Sequence, residues 1–286
     1  MNLSGGNQCA PSDPQQNHLL AALVDCEWSR WLPHLERVDF PLGKVLCASG
    51  TVTPFVYFPT TAIVSLLATT AEGGTSEVAV IGNEGVVGIS TIMGGHMMPS
   101  QAVVQTPGQA YRLRSALVKT EVDRAGPVLR LLLRYTQSLI TQVLQTAACN
   151  RHHDIERQLA RRLLMGLDRS PSDELAMTQE GLASLLGVRR EGITAAALKL
   201  QAAGVIRYQR GHIAVLNRDG LEERACECYA AVRNEQYRLL PASAPSRSQT
   251  PVSIDAQHRP PCGQVGATSV ARTNLAPRSR AVAAEI

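Results

Sequence analysis

The sequence predicts an α+β protein. An antiparallel β-domain comes first, a long helix follows, and a two-helix module with a hairpin comes last. Three observations carry this. Between Val38 and Leu113, short β-rich runs alternate with Gly and Pro turn signals. Beyond Pro127 the apolar period becomes helical. Between Thr178 and Leu216, two helical segments joined at Gly187 precede two short strands.

Residues 1–17 are polar with Gly and Pro, the composition of a loose N-terminal arm. A short helix should follow, with Leu19, Leu20, Leu23 and Val24 on one face and Trp28 and Trp31 close behind. Residues 18–114 are read as the β-domain, with runs at 55–58, 62–67, 77–81, 101–105 and 111–113. Many short strands at near-regular spacing indicate a sandwich or barrel. Residues 115–150 are read as connecting helices, with Pro127 suited to a first turn. There Leu133, Thr136, Ile140, Val143, Ala147 and Asn150 recur at spacings of 3, 4, 3, 4 and 3. That is an a/d seam. Leu131, Leu132, Tyr135 and Leu139 form a second apolar face that can pack back on the β-domain. Two faces need two partners, and the simplest pair is the chain's own barrel and a second subunit. Burial within one domain is the alternative. Residues 151–169 form a further amphipathic helix, and the segment to 240 reads helix, helix, hairpin, helix. Residues 241–286 hold Pro, Ser, Ala and Arg without periodicity, so a disordered tail is expected.

Composition bounds the function. Apolar residues make up 44% of the 286, enough for a core, and aromatics only 4%, which argues against a stacking platform for single-stranded nucleic acid or sugars. The net charge is +4, and residues 241–286 hold five Arg against Asp255 and Glu285. The rest is nearly neutral, so a polyanion must meet a local patch. The seven cysteines, at 9, 26, 47, 149, 226, 228 and 262, are odd in number and lack a C-x-x-C. That fits reduced thiols better than a disulfide framework or a zinc ribbon. No Lys or Arg precedes Arg30, and the apolar stretch 128–144 is interrupted by Arg130 and Arg134. A signal peptide and a membrane span are not expected, and a cytoplasmic protein is.

Residues 178–201 carry the functional signal. Counting from Gln179, Ala183 is fifth, where a small residue lets two helices cross, and Gly187 is ninth, at a turn that needs φ > 0. Leu182, Leu186, Val188, Ile193 and Ala196 fall inward. This is a helix-turn-helix pattern. The second helix exposes Arg189, Arg190, Glu191, Thr194 and Lys199. An Arg bridges O6 and N7 of guanine, and a Glu accepts from N4 of cytosine. Thr178 and Gln179 open the first helix. A hairpin turning at Arg210-Gly211 adds Arg207, Arg210 and His212 as a wing. Double-stranded DNA is the expected partner.

At this point the chain resembles the CRP/FNR family of bacterial transcription regulators. The likeness runs over residues 18–238 and is most specific in MTQEGLASLLGVRREGITAAALKLQAAGVIRYQRGHIAVL. It implies an N-terminal β-roll (a double-stranded β-helix), a dimerisation helix over 115–150 and a winged helix-turn-helix over 151–240. It also implies a homodimer with RNA polymerase as a partner. The family's base-reading Arg-Glu pair corresponds to Arg190-Glu191. The next family position, a Thr or Ser that touches phosphate, is Gly192 here, and a further base-reading Arg falls at Ala195. The family's effector cassette corresponds to Glu84, Gly85, Val86, Val87 and Gly88. Its phosphate-holding Arg falls near Ser100 and Gln101, and its adenine-contacting pair at Val143 and Leu144. No Arg or Lys lies between Glu84 and Gly108. A phosphate buried without a cation is costly, so cAMP is not the expected effector.

Weaker patterns are set aside on spacing. Cys9, Cys26 and Cys47 stand too far apart for the family's iron–sulfur branch, and haem has only His96 beside Met97 and Met98. Cys226-x-Cys228 on a regular helix faces two sides, and Cys149 is expected as a buried small side chain. No metal or cofactor is assigned. Gly82-x-x-Gly85-x-x-Gly88 lacks the Gly-Lys-Ser/Thr of a P-loop, and residues 55–81 lack the His of a cupin-type metal site. The expectation is a non-enzymatic, sequence-specific DNA-binding regulator, a dimer on a pseudo-palindromic site, with an unidentified small-molecule effector. The alternative is a ligand or redox sensor acting through a protein partner, with DNA binding vestigial.

Overall fold

The computed structural model describes residues 13–94, 97–170 and 172–240. The expected tail, most of the arm and His96 lie outside them. The arm ends earlier than its composition suggests. Asn17 is buried, and its amide donates to the carbonyls of Pro59 and Gly85 at 2.9 and 2.8 Å. Its side-chain oxygen caps α1 (His18–Ala21), so every polar group of that side chain is paired. The helix expected after it is two, because Val24 turns extended and starts α2 (Asp25–Trp31). Leu19, Leu20 and Trp31 enter the core, whereas Val24 is exposed.

Seven strands follow: β1 (Glu36–Phe40), β2 (Val45–Cys47), β3 (Phe55–Pro59), β4 (Ile63–Thr69), β5 (Thr75–Ile81), β6 (Gln101–Thr106) and β7 (Gly108–Arg114). They form two antiparallel sheets, ordered β1-β7-β3 and β2-β6-β4-β5. The five runs legible in the sequence are β3 to β7. β1 and β2 are mostly exposed, so their sequences carry no strong apolar alternation. Phe40, Val64, Ile81, Val104 and Ala110 fill the space between the sheets.

The helices are α3 (Ser115–Asp123), α4 (Pro127–His152), α5 (Ile155–Leu167), α6 (Gln179–Leu186), α7 (Arg190–Ala202), α8 (Arg218–Arg224) and α9 (Glu227–Leu239). Three short strands, β8 (Glu174–Ala176), β9 (Ile206–Gln209) and β10 (His212–Val215), make a sheet ordered β8-β10-β9. Pro127 stands at the start of α4, where its missing N–H costs nothing. His152 closes α4, His153 is extended, and Asp154 caps α5 by accepting from the Arg157 amide. The histidine pair therefore ends one helix rather than opening the next. The expected last helix is also two, broken where Ala225 and Cys226 are extended. No helix among the described residues is long and apolar enough to cross a membrane.

α4 uses the face expected to pack inward. Leu131, Leu132 and Tyr135 join Val56, Phe58, Val86 and Leu113 in one cluster. α9 packs along another side, where Gln137 donates to Glu235 at 3.0 Å. The stripe bearing Leu133, Ile140 and Leu144 stays 57%, 50% and 63% exposed.

A buried ion pair joins the β-domain to α5. β4 and β5 lose register between Leu66 and Leu67, so that Leu66 faces Ala79 and Leu67 faces Glu77. The extra residue, Val78, is a bulge, and a bulge re-aims the side chains beyond it. Without it Glu77 would share the inward face of Ala79 and Ile81. With it Glu77 joins Ser65 on the outer face, where the Ser65 hydroxyl donates to it. Arg162 of α5, fully buried, sets its Nε 2.6 Å from Glu77 Oε1 and donates from Nη2 to Oε2 at 3.0 Å. Ile63 and Val80 lie in the same apolar cluster as Leu159, Leu163 and Leu182. Arg162→Met should destabilise the chain by about 3–5 kcal/mol in denaturant unfolding, because it strands a buried carboxylate. The double variant Arg162→Met/Glu77→Leu should recover most of that. A single variant no weaker than the double would show that the pair is not coupled.

Candidate functional site

The helix-turn-helix is built as its spacing requires. Thr178 caps α6, its hydroxyl oxygen accepting from the Gly181 amide at 3.0 Å. Gly187 ends α6 at φ 66°, a left-handed position that favours glycine. Leu182, Ala183, Leu186, Ile193 and Ala196 are buried between α6, α7 and α5. What remains outside is the polar face. Arg189, Arg190 and Glu191 are exposed at the start of α7 and form no ion pair among the described residues.

The other expected contact residues divide. The Thr194 hydroxyl lies 2.9 Å from Gln179 Oε1, so these two side chains hold α6 and α7 together. Lys199 Nζ stands 3.6 Å from Glu156 of α5. Gly192 faces α5, and a Cβ there would come within 2.6 Å of Ile155 Cδ1. A Thr or Ser at this position would need the end of the Ile155 side chain to move. Ala195 is exposed. In the wing, Arg210 and Gly211 both have positive φ, 48° and 83°. That pairing is what a tight two-residue hairpin turn demands. Arg207, Arg210 and His212 are all exposed there.

The cassette Glu84 to Gly88 is packed rather than open. Glu84 Oε1 accepts from Arg169 Nε at 2.6 Å, and Oε2 accepts from the Gly82 amide. Val86 and Val87 are fully buried, and Gly88 takes φ 101° at the start of a short 3₁₀ turn. The Tyr135 hydroxyl donates to the Val86 carbonyl at 3.0 Å, and burial pushes that phenol well above its ordinary value. Ser100 is buried and Gln101 half-buried. Val143 packs on the β-domain while Leu144 faces outward, so this pair does not line one site. A cavity of about 90 Å³ beside Glu84 is walled by His18, Asp168, Arg169, Arg233 and Tyr237. It is far smaller than the ~300–1,000 Å³ of a typical ligand pocket.

One grouping escaped the sequence reading. The ligand atoms of Cys149, His153, Cys226 and Cys228 all lie within 4.8 Å of one another. Cys226 and Cys228 were expected on opposite sides of a helix. Cys226 is instead the extended cap residue of α9 (φ −83°, ψ 165°), so its thiol folds back beside that of Cys228. The legible signal was Cys149-x-x-x-His153, a spacing that stacks two side chains on one helix face. The contact between the Cys149 and Cys226 thiols lowers the pKa of Cys226 and raises that of Cys149.

Comparison with known proteins now bears on this geometry. Residues 37–124 match the cyclic nucleotide-binding domain model, and residues 157–224 match the Crp-like helix-turn-helix domain model. Together they span more than half of the chain. The chain belongs to the CRP/FNR family of transcription regulators. Solved structures agree in fold. A protein described as a transcriptional regulator of this family from Eubacterium rectale superposes with a TM-score of 0.58 at 17% identity, covering 73% of this chain and 98% of that one. FixK2 from Bradyrhizobium japonicum gives 0.57 at 15%, covering 67% and 98%. The regulator TTHA1359 from Thermus thermophilus gives 0.54 at 22%, covering 66% and 98%. No curated protein matches the chain in sequence. As a CRP/FNR regulator it carries a DNA-binding helix-turn-helix, and its family is one of regulators, not enzymes.

In this CRP/FNR chain, Gly85 is held by packing. A Cβ there would lie 2.7 Å from the Tyr135 ring and hydroxyl. Gly85→Ala should therefore lower stability by about 1–3 kcal/mol, read as a drop in urea midpoint. An unchanged midpoint would show that the ring is free to move away.

Proposed function

We propose that the chain is a homodimeric, sequence-specific regulator that reads a pseudo-palindromic DNA site. The observation that carries this is the unpaired, exposed Arg189, Arg190 and Glu191 at the start of α7. Thr194 and Gln179 are engaged with each other and Lys199 with Glu156 of α5, whereas these three are left to solvent. The helix start is the end that enters a major groove. Arg210, on the wing, supplies backbone attraction without base selection.

The dimer rests on α4. Leu133, Ile140, Leu144 and Ala147 are exposed and Thr136 half-exposed on a helix otherwise packed against the β-domain and α9, while Val143, expected in the seam, packs largely on the β-domain. A two-fold partner laid along this stripe would bury it and set two α7 helices ~34 Å apart, one turn of DNA. The effector is read as something other than cAMP. Glu84 is already committed to Arg169, and no Arg or Lys lies between Glu84 and Gly108 to meet a phosphate. RNA polymerase is carried as a partner by family resemblance, and the cytoplasm as the compartment.

Selection of bound sequences from a random duplex library, with the purified chain, tests the reading. A two-fold motif is expected, and no enrichment in any ligand state would refute direct readout. Arg190→Ala should cost ~1–3 kcal/mol on the selected site and relax one base pair. Arg210→Asn keeps a residue that tolerates left-handed backbone, so the fold should be unaffected. It should weaken all duplexes alike and flatten the log–log salt slope by ~0.9. Ile140→Glu/Leu144→Glu should give a folded monomer in sedimentation that no longer binds two-fold sites tightly. A dimer that persists would exclude α4 as the seam.

A further inference from the structure

We propose that Cys149, His153, Cys226 and Cys228 form a closed site for a single zinc(II) ion. The four residues come from three places. Cys149 lies in the last turn of α4, His153 caps its end, and Cys226 and Cys228 open α9. Their ligand atoms lie within 4.8 Å of one another, and the three sulfurs are buried.

The size of the cluster fits one ion. With Zn–S at ~2.3 Å and Zn–N at ~2.0–2.1 Å, a tetrahedron has edges of ~3.8 Å or slightly less. The Cys149 and Cys226 sulfurs are 3.5 Å apart, and the Cys228 sulfur is 3.7 Å from His153 Nδ1. A polynuclear iron–sulfur cluster divides its protein ligands among two or more irons and spreads the set further. Three thiolates and one imidazole are a tetrahedral donor set suited to zinc. Four protein ligands leave no open position, which makes the site structural.

The surroundings fit as well. His153 Nε2 lies 3.2 Å from Glu227 Oε1. With a metal on Nδ1, Nε2 would carry the proton and donate to the carboxylate, the arrangement that orients metal-bound histidines. Three thiolates on a divalent ion leave one net negative charge. Arg161, buried on α5, forms no ion pair among the described residues, and its Nε has no hydrogen-bond partner there. Its charge acts on Cys149 and Cys228. An anionic centre offsets this otherwise uncompensated buried cation. The ion would staple α9 to the end of α4 at the break into α5, fixing how the DNA-binding helices leave the long helix.

The test uses the full chain, purified anaerobically under reductant, stripped by chelation and titrated with Co²⁺. Tetrahedral thiolate ligation gives visible d–d bands and a near-ultraviolet sulfur-to-cobalt band. These should saturate at one Co²⁺ per chain and vanish on adding Zn²⁺. Cys26→Ser should keep the bands, Cys149→Ser and Cys226→Ser should lose them, and Glu227→Gln should weaken Co²⁺ by about 10–100-fold. Reduced wild-type chain without bands at excess Co²⁺ would overturn the proposal, however the variants fold. So would bands that survive both Cys149→Ser and Cys226→Ser. A Cys149–Cys226 disulfide in a chain that takes no metal once reduced would mark a redox pair instead and overturn it too.

Discussion

The buried Arg162–Glu77 pair is the contact on which the arrangement of the molecule depends. It places a full positive charge of α5 against a full negative charge of β5, and neither has water to fall back on. Such a pair adds little net stability over an apolar contact of the same shape, but breaking it is expensive. It therefore acts as a specificity device. α5 can rest on the β-domain in the one position where the two charges meet, and α6 and α7 pack on α5 through Leu159, Leu163, Leu182 and Ile193. The Thr75–Ser184 hydroxyl contact at 3.1 Å lies on the same side and holds the β4–β5 turn against α6.

From that anchor the polar groups of the chain sort into two kinds. Most are consumed by the fold. Glu84 serves Arg169, Thr194 serves Gln179, and Lys199 serves Glu156. Arg189, Arg190 and Glu191 at the start of α7, and Arg210 at the tip of the wing, are exposed and form no ion pair among the described residues. A surplus of unpaired charge on a rigid, well-packed helix start is what a base-reading surface needs, because the groups are positioned without being occupied. The apolar surplus is also localised. It is the outer stripe of α4, which the β-domain and α9 leave uncovered.

The Glu84–Gly88 segment is held by contacts within the chain. Gly85 and Gly88 persist, each for a local reason: the Tyr135 ring lies over one, and the other takes a left-handed turn. The acidic residue persists as the partner of Arg169. None of these needs a ligand.

The order of elements was legible because it rests on short-range physics. Period-2 and period-3.6 patterns, the left-handed glycine at 187, proline at a helix start and a charged helix face are written within a few residues of one another. So the β-domain, the long helix and the helix-turn-helix were determined by the sequence itself, with Arg190-Glu191 at the start of α7. What only tertiary structure decided are meetings between distant residues. The bulge at Val78 turns Glu77 toward an arginine 85 residues away. Ile155 meets Gly192 only because α5 lies across α7. Cys149 and Cys226 meet across 77 residues because one residue, Cys226, is extended rather than helical. A single backbone state at a helix boundary, chosen by the packing of α9 on α4, moves a thiol from one side to the other, and no local pattern records that choice.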